Sequence, residues 1–222
     1  MVSRHLPLPN YRNYEYGYQS AYELACKELA KIDDIEQLCL KSGAQYQEAD
    51  SKKTIILGYL NRSYQITFPD IKISLTASEE EVPIVDKVLM LHYLTLAKGT
   101  PPTNKVITFN ELPEGANYFR TFSKRAIRPL LNNFGKEPHR LIEIARKLNG
   151  HKADYGDAAV TINAFNKVSV TLVLWQGDDE FDPTGSVLFD SAISDYLSTY
   201  DITVLCEIIV WKLVRFLKEA KH

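Results

Sequence analysis

The chain has 222 residues, 45% of them hydrophobic and 24% charged, with a formal net charge of −2. That makeup suits a globular protein large enough to bury a core without metal or disulfide. It excludes a membrane-spanning chain, because no apolar run approaches the ~18 residues a span requires, and it argues against wholesale binding of phosphate polymers.

The N-terminus MVSRHLPLPN lacks the apolar core of a secretory signal, and the three cysteines, Cys26, Cys39 and Cys206, are odd in number and far apart. A single soluble domain over residues 1–222 in a reducing cytoplasm is the expectation. Cys26 and Cys206 fall within apolar helical patterns, where thiols serve as small buried hydrophobes. Charge is uneven along the chain. Arg120, Lys124, Arg125, Arg128, Lys136, Arg140, Arg146 and Lys147 form a basic island opposed within it only by Glu137 and Glu143.

Residues 11–22 carry Tyr11, Tyr14, Tyr16, Tyr18 and Tyr22. Over residues 1–17 this reads as a tyrosine-rich arm, serving either as packing against the domain or as a stacking wall for a flat ligand. Tyr18, Ala21, Tyr22, Ala25 and Leu29 follow the apolar stripe of an amphipathic helix ending near Lys31. Asp33 with Glu36 forms a cap and its reciprocal partner, opening a short helix through Cys39 that Gly43 closes in the left-handed conformation.

From Lys53 the composition turns to β type. Thr54–Leu60, Arg62–Phe68 and Ile71–Leu75, separated by Asn61 and Pro69-Asp70, predict a three-stranded meander. Glu79, Glu80, Glu81 and Pro83 then open a helix running to about Lys98. Its stripe of Val85, Val88, Leu89, His92 and Leu96 sets an imidazole in an apolar row beside Tyr93. His92 is either a core histidine satisfied by a backbone partner or a ligand-facing, metal-binding group.

Gly99-Thr-Pro-Pro makes a turn, and Lys105–Phe109 is a short strand delivering Asn110 and Glu111 to a tight turn at Pro113-Glu-Gly115. A helix from Asn117 places Tyr118, Phe122 and Arg125 on one face. Pro129 predicts a break at Arg128 and a second short helix ended by Gly135. The break leaves Arg125 and Arg128 at a helix junction, either as forks for an anionic or amide-rich ligand or as a solvated basic face.

Pro138 opens a helix with Leu141, Ile144, Ala145 and Leu148 buried, closed at Asn149-Gly150. Asp154-Tyr155-Gly156-Asp157 is a turn into the hairpin of Ala158–Phe165 and Val168–Trp175, with Val168, Val170, Leu172 and Leu174 lining the core. The acidic loop from Gly177 to Pro183 has Trp175 and Phe181 on either side. It does not match a calcium loop, because position six lacks glycine and Phe189 stands where a bidentate Glu is needed. Ser186–Phe189 reads as a strand, and Asp201–Lys218 as a helix apolar on most sides.

The chain lacks a Gly-rich phosphate loop, a nucleophile elbow, paired histidines at zinc spacing and Cys-x-x-Cys. The basic island with Tyr118, Phe119 and Phe122 has the ingredients of a single-strand nucleic-acid surface. A pI near 6.2 makes nucleic acid an unfavourable partner.

The ordered series LHYL (91–94), FNELPEGANYFRTF (109–122), RPLLNNFG (128–135), DYGDAA (154–159) and VLWQGDDEF (173–181) resembles the domain of unknown function family numbered 3786, found in anaerobic bacteria and archaea. Some relatives add an iron–sulfur domain of the kind seen in corrinoid iron–sulfur proteins. The resemblance therefore implies work near cobamide-dependent one-carbon metabolism, with a corrinoid as ligand and proteins of a corrinoid-dependent methyltransferase system as partners. This chain lacks the four-cysteine segment, so no iron–sulfur cluster is expected, and the Asp-x-His-x-x-Gly corrinoid signature is also missing.

The expectation is an α+β domain: a largely antiparallel sheet of about six or seven strands with helices packed against it. The expected cofactor site comprises His92, also the metal ligand, with Tyr93, Asn110, Glu111, Asn117, Tyr118, Phe119, Phe122, Arg125, Arg128, Tyr155, Trp175 and Phe181. Its leading occupant is a corrinoid (cobalamin-type) or similar tetrapyrrole held for storage, delivery or protection. The alternatives are an enzyme on a small anionic substrate, with an arginine clamp and His92 or Glu111 as acid–base, and a protein-interaction module.

Overall fold

The strongest alternation in the chain, residues 158–175, forms the centre of the fold. In the computed structural model, which describes residues 12–49, 52–178 and 180–220, β7 (Ala158–Phe165) and β8 (Val168–Trp175) pair antiparallel. Ile162, Ala164, Val170 and Leu172 are fully buried, and Thr161 bonds Thr171 across the strands at 2.8 Å. Alternation works here because successive side chains of a strand point to opposite faces.

The sheet grows outward from this hairpin in the order β4-β3-β2-β7-β8-β9-β5, antiparallel throughout. These strands are β2 (Lys52–Tyr59), β3 (Arg62–Phe68), β4 (Lys72–Leu75), β5 (Val106–Thr108) and β9 (Thr184–Asp190). Two short strands lie off the path: β1 (Gln45–Ala49) on β2 and β6 (His151–Ala153) on β7. The expected meander and hairpin are present. β1 and β6 are additions; they are exposed nearly throughout and so carry no apolar alternation.

β2 and β7 share one register pair, Tyr59 with Phe165, and one flanking bond from Leu60 N to Ala164 O. Side chains reinforce this narrow join. Tyr59 stacks on Phe165 at 4.8 Å, and Phe165 on Tyr93 at 4.0 Å.

Around the sheet lie α1 (Arg12–Ala30), α2 (Ile35–Ser42), α3 (Ile84–Leu96), α4 (Gly115–Phe122), α5 (Arg128–Phe134), α6 (His139–Ala145) and α7 (Thr199–Glu219). Among the described residues no helix is long and apolar enough to cross a membrane. α7 buries most of its surface, from Ile202 through Leu217, as its apolar composition predicts.

Several expected boundaries shift. α1 begins by Arg12, so part of the expected arm is helical; Tyr11 and the side chains of Tyr14 and Tyr16 lie outside the described residues. Asp34, not Asp33, caps α2 by accepting from Gln37 N at 2.8 Å, while Gly43 closes that helix at φ +70° as expected. On α3, Leu96 is 45% exposed and Asp86 is buried, because the helix packs against α1, α2 and α7 rather than on one face. Cys39 and Cys206 are buried, but Cys26 is only half-buried.

Pro129 does not break its helix. α4 continues into one π-helical turn, Ser123–Ile127, in which Arg128 N bonds Ser123 O, and then into α5. The wider turn resets the register so that Pro129 falls in the first turn of α5, where no donor is needed.

Candidate functional site

The loop before α4 is built to fixed geometry. Thr108 and Glu111 form a reciprocal capping box, with Glu111 Oε2 accepting from Thr108 N at 2.8 Å. These bonds hold the Glu111 carboxyl below its usual range. Gly115 follows Glu114, which is left-handed at φ +58°; a Cβ on Gly115 would stand 2.0 Å from the Phe109 carbonyl oxygen. Only glycine fits that approach.

Beyond this turn, α4 leads into the π-turn, which packs against α7. α7 opens with the box Ser198–Asp201: Ser198 Oγ accepts from Asp201 N at 3.1 Å and donates to Asp201 Oδ2 at 2.6 Å. Asp201 Oδ1 then meets His92 Nδ1 of α3 at 2.8 Å. Asp201 is buried, whereas the His92 side chain keeps 34% of its surface. The hydrogen bond to Asp201 raises the imidazole pKa, against the opposing effect of burial. A carboxylate on Nδ1 fixes the proton there and presents Nε2 as the free lone pair. Such a group can take a metal or a proton.

Nearly two turns along α7 lies a second charged pair. Arg125, on the π-turn, donates from Nε to Glu207 Oε2 at 2.9 Å and also from Nη2, with both side chains less than one-fifth exposed. Burial disfavours the Arg125 charge, but Glu207, helped by Tyr18 and Tyr200, outweighs it and the pKa is raised. The guanidinium sits 5.8 Å from the Tyr200 ring centre, and the Tyr200 hydroxyl lies 3.5 Å from that of Tyr18. Tyr200 is 42% exposed. α7 thus carries two charged pairs, His92–Asp201 and Arg125–Glu207, with Tyr200, the chain neighbour of Asp201, set against Arg125 and Tyr18.

The remaining expected site residues do not join them. Tyr93 is fully buried between Phe165 and Tyr196, its hydroxyl bonded to Ser42 O. Phe122 is fully buried against Phe109, with ring centres 3.8 Å apart, and half-buried Phe119 leans on it. Asn110 and Arg128 are exposed, Tyr118 is 40% exposed, and Asn117 donates to Glu114 at 2.8 Å. Tyr155, Trp175 and Phe181, each over two-fifths exposed, sit at the open end of the β7–β8 hairpin, where Asp157 ties its turn to the strand end through Gln176 N and Leu174 O. Tyr93, next to His92, stacks at the other end. The seven-residue rise between Val168 and Trp175 separates the two ends by about 23 Å.

The sequence reading missed Asp201, Tyr200 and Glu207 as site members, since Asp201 lies 109 residues from His92. The visible signals were the Ser-x-x-Asp cap and a lone acid within an apolar helix. It also missed Asp86, which accepts from Tyr59 OH at 2.9 Å and lies 4.0 Å from Lys212 Nζ; burial raises its pKa, against the pull of Lys212. The shallow concavities beside α2–β1 and beside the β2–β3 turn are lined by none of the expected site residues. No group of three or more His, Cys, Asp or Glu among the described residues is placed to hold a metal ion.

Comparison with known proteins gives one match. The family described as Domain of unknown function (DUF3786) matches residues 34–212, so the chain belongs to that family. No curated protein and no solved structure matches it.

Proposed function

We propose that this chain, taken as a member of the DUF3786 family, binds a corrinoid or similar tetrapyrrole cofactor at the junction of α3, α7 and the π-turn, for storage, delivery or protection. The His92–Asp201 pair is the observation that carries the reading. A carboxylate-held imidazole, partly exposed, is the donor a metal centre uses, and the partner on Nδ1 strengthens Nε2 as a ligand. A corrinoid supplies a cobalt that accepts such a nitrogen. Tyr200, 42% exposed, offers ring surface to such a ligand. Delivery implies partner proteins of a corrinoid-dependent methyltransferase system.

An acid–base enzyme working on a small anion fits less well. Of its two clamping arginines Arg125 is taken by Glu207 and Arg128 lies exposed away from it, and Glu111 is committed to Thr108. The test is titration of the purified protein with cobalamin while recording the visible spectrum. Retained corrinoid with a band shift that disappears in a folded His92→Ala variant is the expected result. No retention and no spectral change refutes the proposal.

A further inference from the structure

From Gly115 to Lys136 the chain contains no Asp or Glu. Within this stretch Arg120, Lys124 and Arg128 follow one another at four-residue steps along α4, the π-turn and α5, and all three are exposed. None makes a hydrogen bond, ion pair or ring contact among the described residues. Some surface cations are paired, as in Lys31–Glu28, Arg62–Glu80, Lys98–Asp195 and Arg140–Glu137; this row is set apart by its one-turn spacing within an acid-free run. Like charges one helical turn apart destabilise a helix, and an acid at a neighbouring turn would relieve them. The sequence supplies such an acid only at the flanks, Glu114 and Glu137. Arg125 shows what relief looks like, since it turns inward and meets Glu207.

We infer that the Arg120–Lys124–Arg128 row is a docking surface for an acidic helix of a partner protein. Cations at one-turn spacing match carboxylates repeated every fourth residue on the facing helix, with steps of about 5–6 Å on both sides. Nucleic acid is the poorer occupant. A single strand needs rings interleaved with the cations, but Phe122 is fully buried and Phe119 half-buried, which leaves only Tyr118 exposed. The chain's net charge of −2 also opposes a polyanion beyond the row itself. This inference is independent of the cofactor reading, since the row shares no residue with the His92 site.

Fluorescence anisotropy with defined probes tests it. The probes are an Ala-based helical peptide with Glu at every fourth position, a peptide of the same composition with the spacing scrambled, and a single-stranded RNA 12-mer. The ordered peptide should bind, weaken at least about tenfold as salt is raised past physiological ionic strength, and lose binding in R120E/K124E/R128E. That variant alters only exposed side chains, and a neutral R120Q/K124Q/R128Q variant serves if it does not fold. Absence of peptide binding, equal binding by the reversed variant, or tighter binding of RNA overturns the inference. Salt-dependent self-association of the unmodified protein would likewise overturn it, by assigning the row to a second copy.

Discussion

If Arg125 is a strut rather than a ligand clamp, removing its partner must cost stability before it affects any binding. Glu207→Leu keeps most of the side-chain volume but leaves the guanidinium, 18% exposed, without its carboxylate. Stranding one member of a fully buried ion pair costs 3–5 kcal/mol; residual water access on both sides reduces this to about 2–3 kcal/mol. For a chain of this length that corresponds to a melting shift of about 5–10 °C. Arg125→Met should lose a similar amount, since Glu207, 14% exposed, is then the stranded charge. The double variant R125M/E207L should recover to within about 1 kcal/mol of the parent, because apolar replacements of both partners remove the desolvation penalty together. Urea unfolding followed by circular dichroism supplies all four corners of the cycle. Single variants within about 0.5 kcal/mol of the parent, or a double variant as unstable as the sum of the singles, would refute the strut assignment and return Arg125 to the ligand.

Two further outcomes follow from the geometry. Because the folded His92 pKa is raised above 6.5, its ionic contribution is fully present below about pH 6.5 and is lost as pH climbs through the folded value. The melting-temperature advantage of the parent over His92→Gln should therefore be largest near pH 6 and shrink toward pH 9; a difference that grows with pH would contradict the Asp201 pairing. Gly115→Ala drives a methyl against the Phe109 carbonyl and should cost roughly 2 kcal/mol or more in denaturant unfolding, whereas a neutral effect would show that the turn relaxes.

The central hairpin and α7 were legible because their burial is periodic or nearly total, and each pattern has one structural solution. β1 and β6 were not, since short exposed strands take their identity from the strand they pair with. Pro129 misled for a physical reason: proline forbids an ordinary mid-helix donor, but a π-turn upstream makes that donor unnecessary. At the site, His92 stood out as the polar member of an apolar stripe. Its meaning depended on Asp201, and chain separation hides such partners whatever the local pattern. Tyr93 and Phe122 lay in the expected site by sequence proximity, yet aromatic rings beside a polar loop are as useful to the core as to a ligand.

α3 grips both halves of the sheet at the point where the backbone joins them by a single rung. Asp86 holds Tyr59 on β2, while Tyr93 lies on Phe165 of β7. His92 belongs to the same short helix, so the helix works as a buckle whose tongue is the candidate ligand. The imidazole and the contacts that join the two halves of the sheet accordingly sit on one helix of thirteen residues.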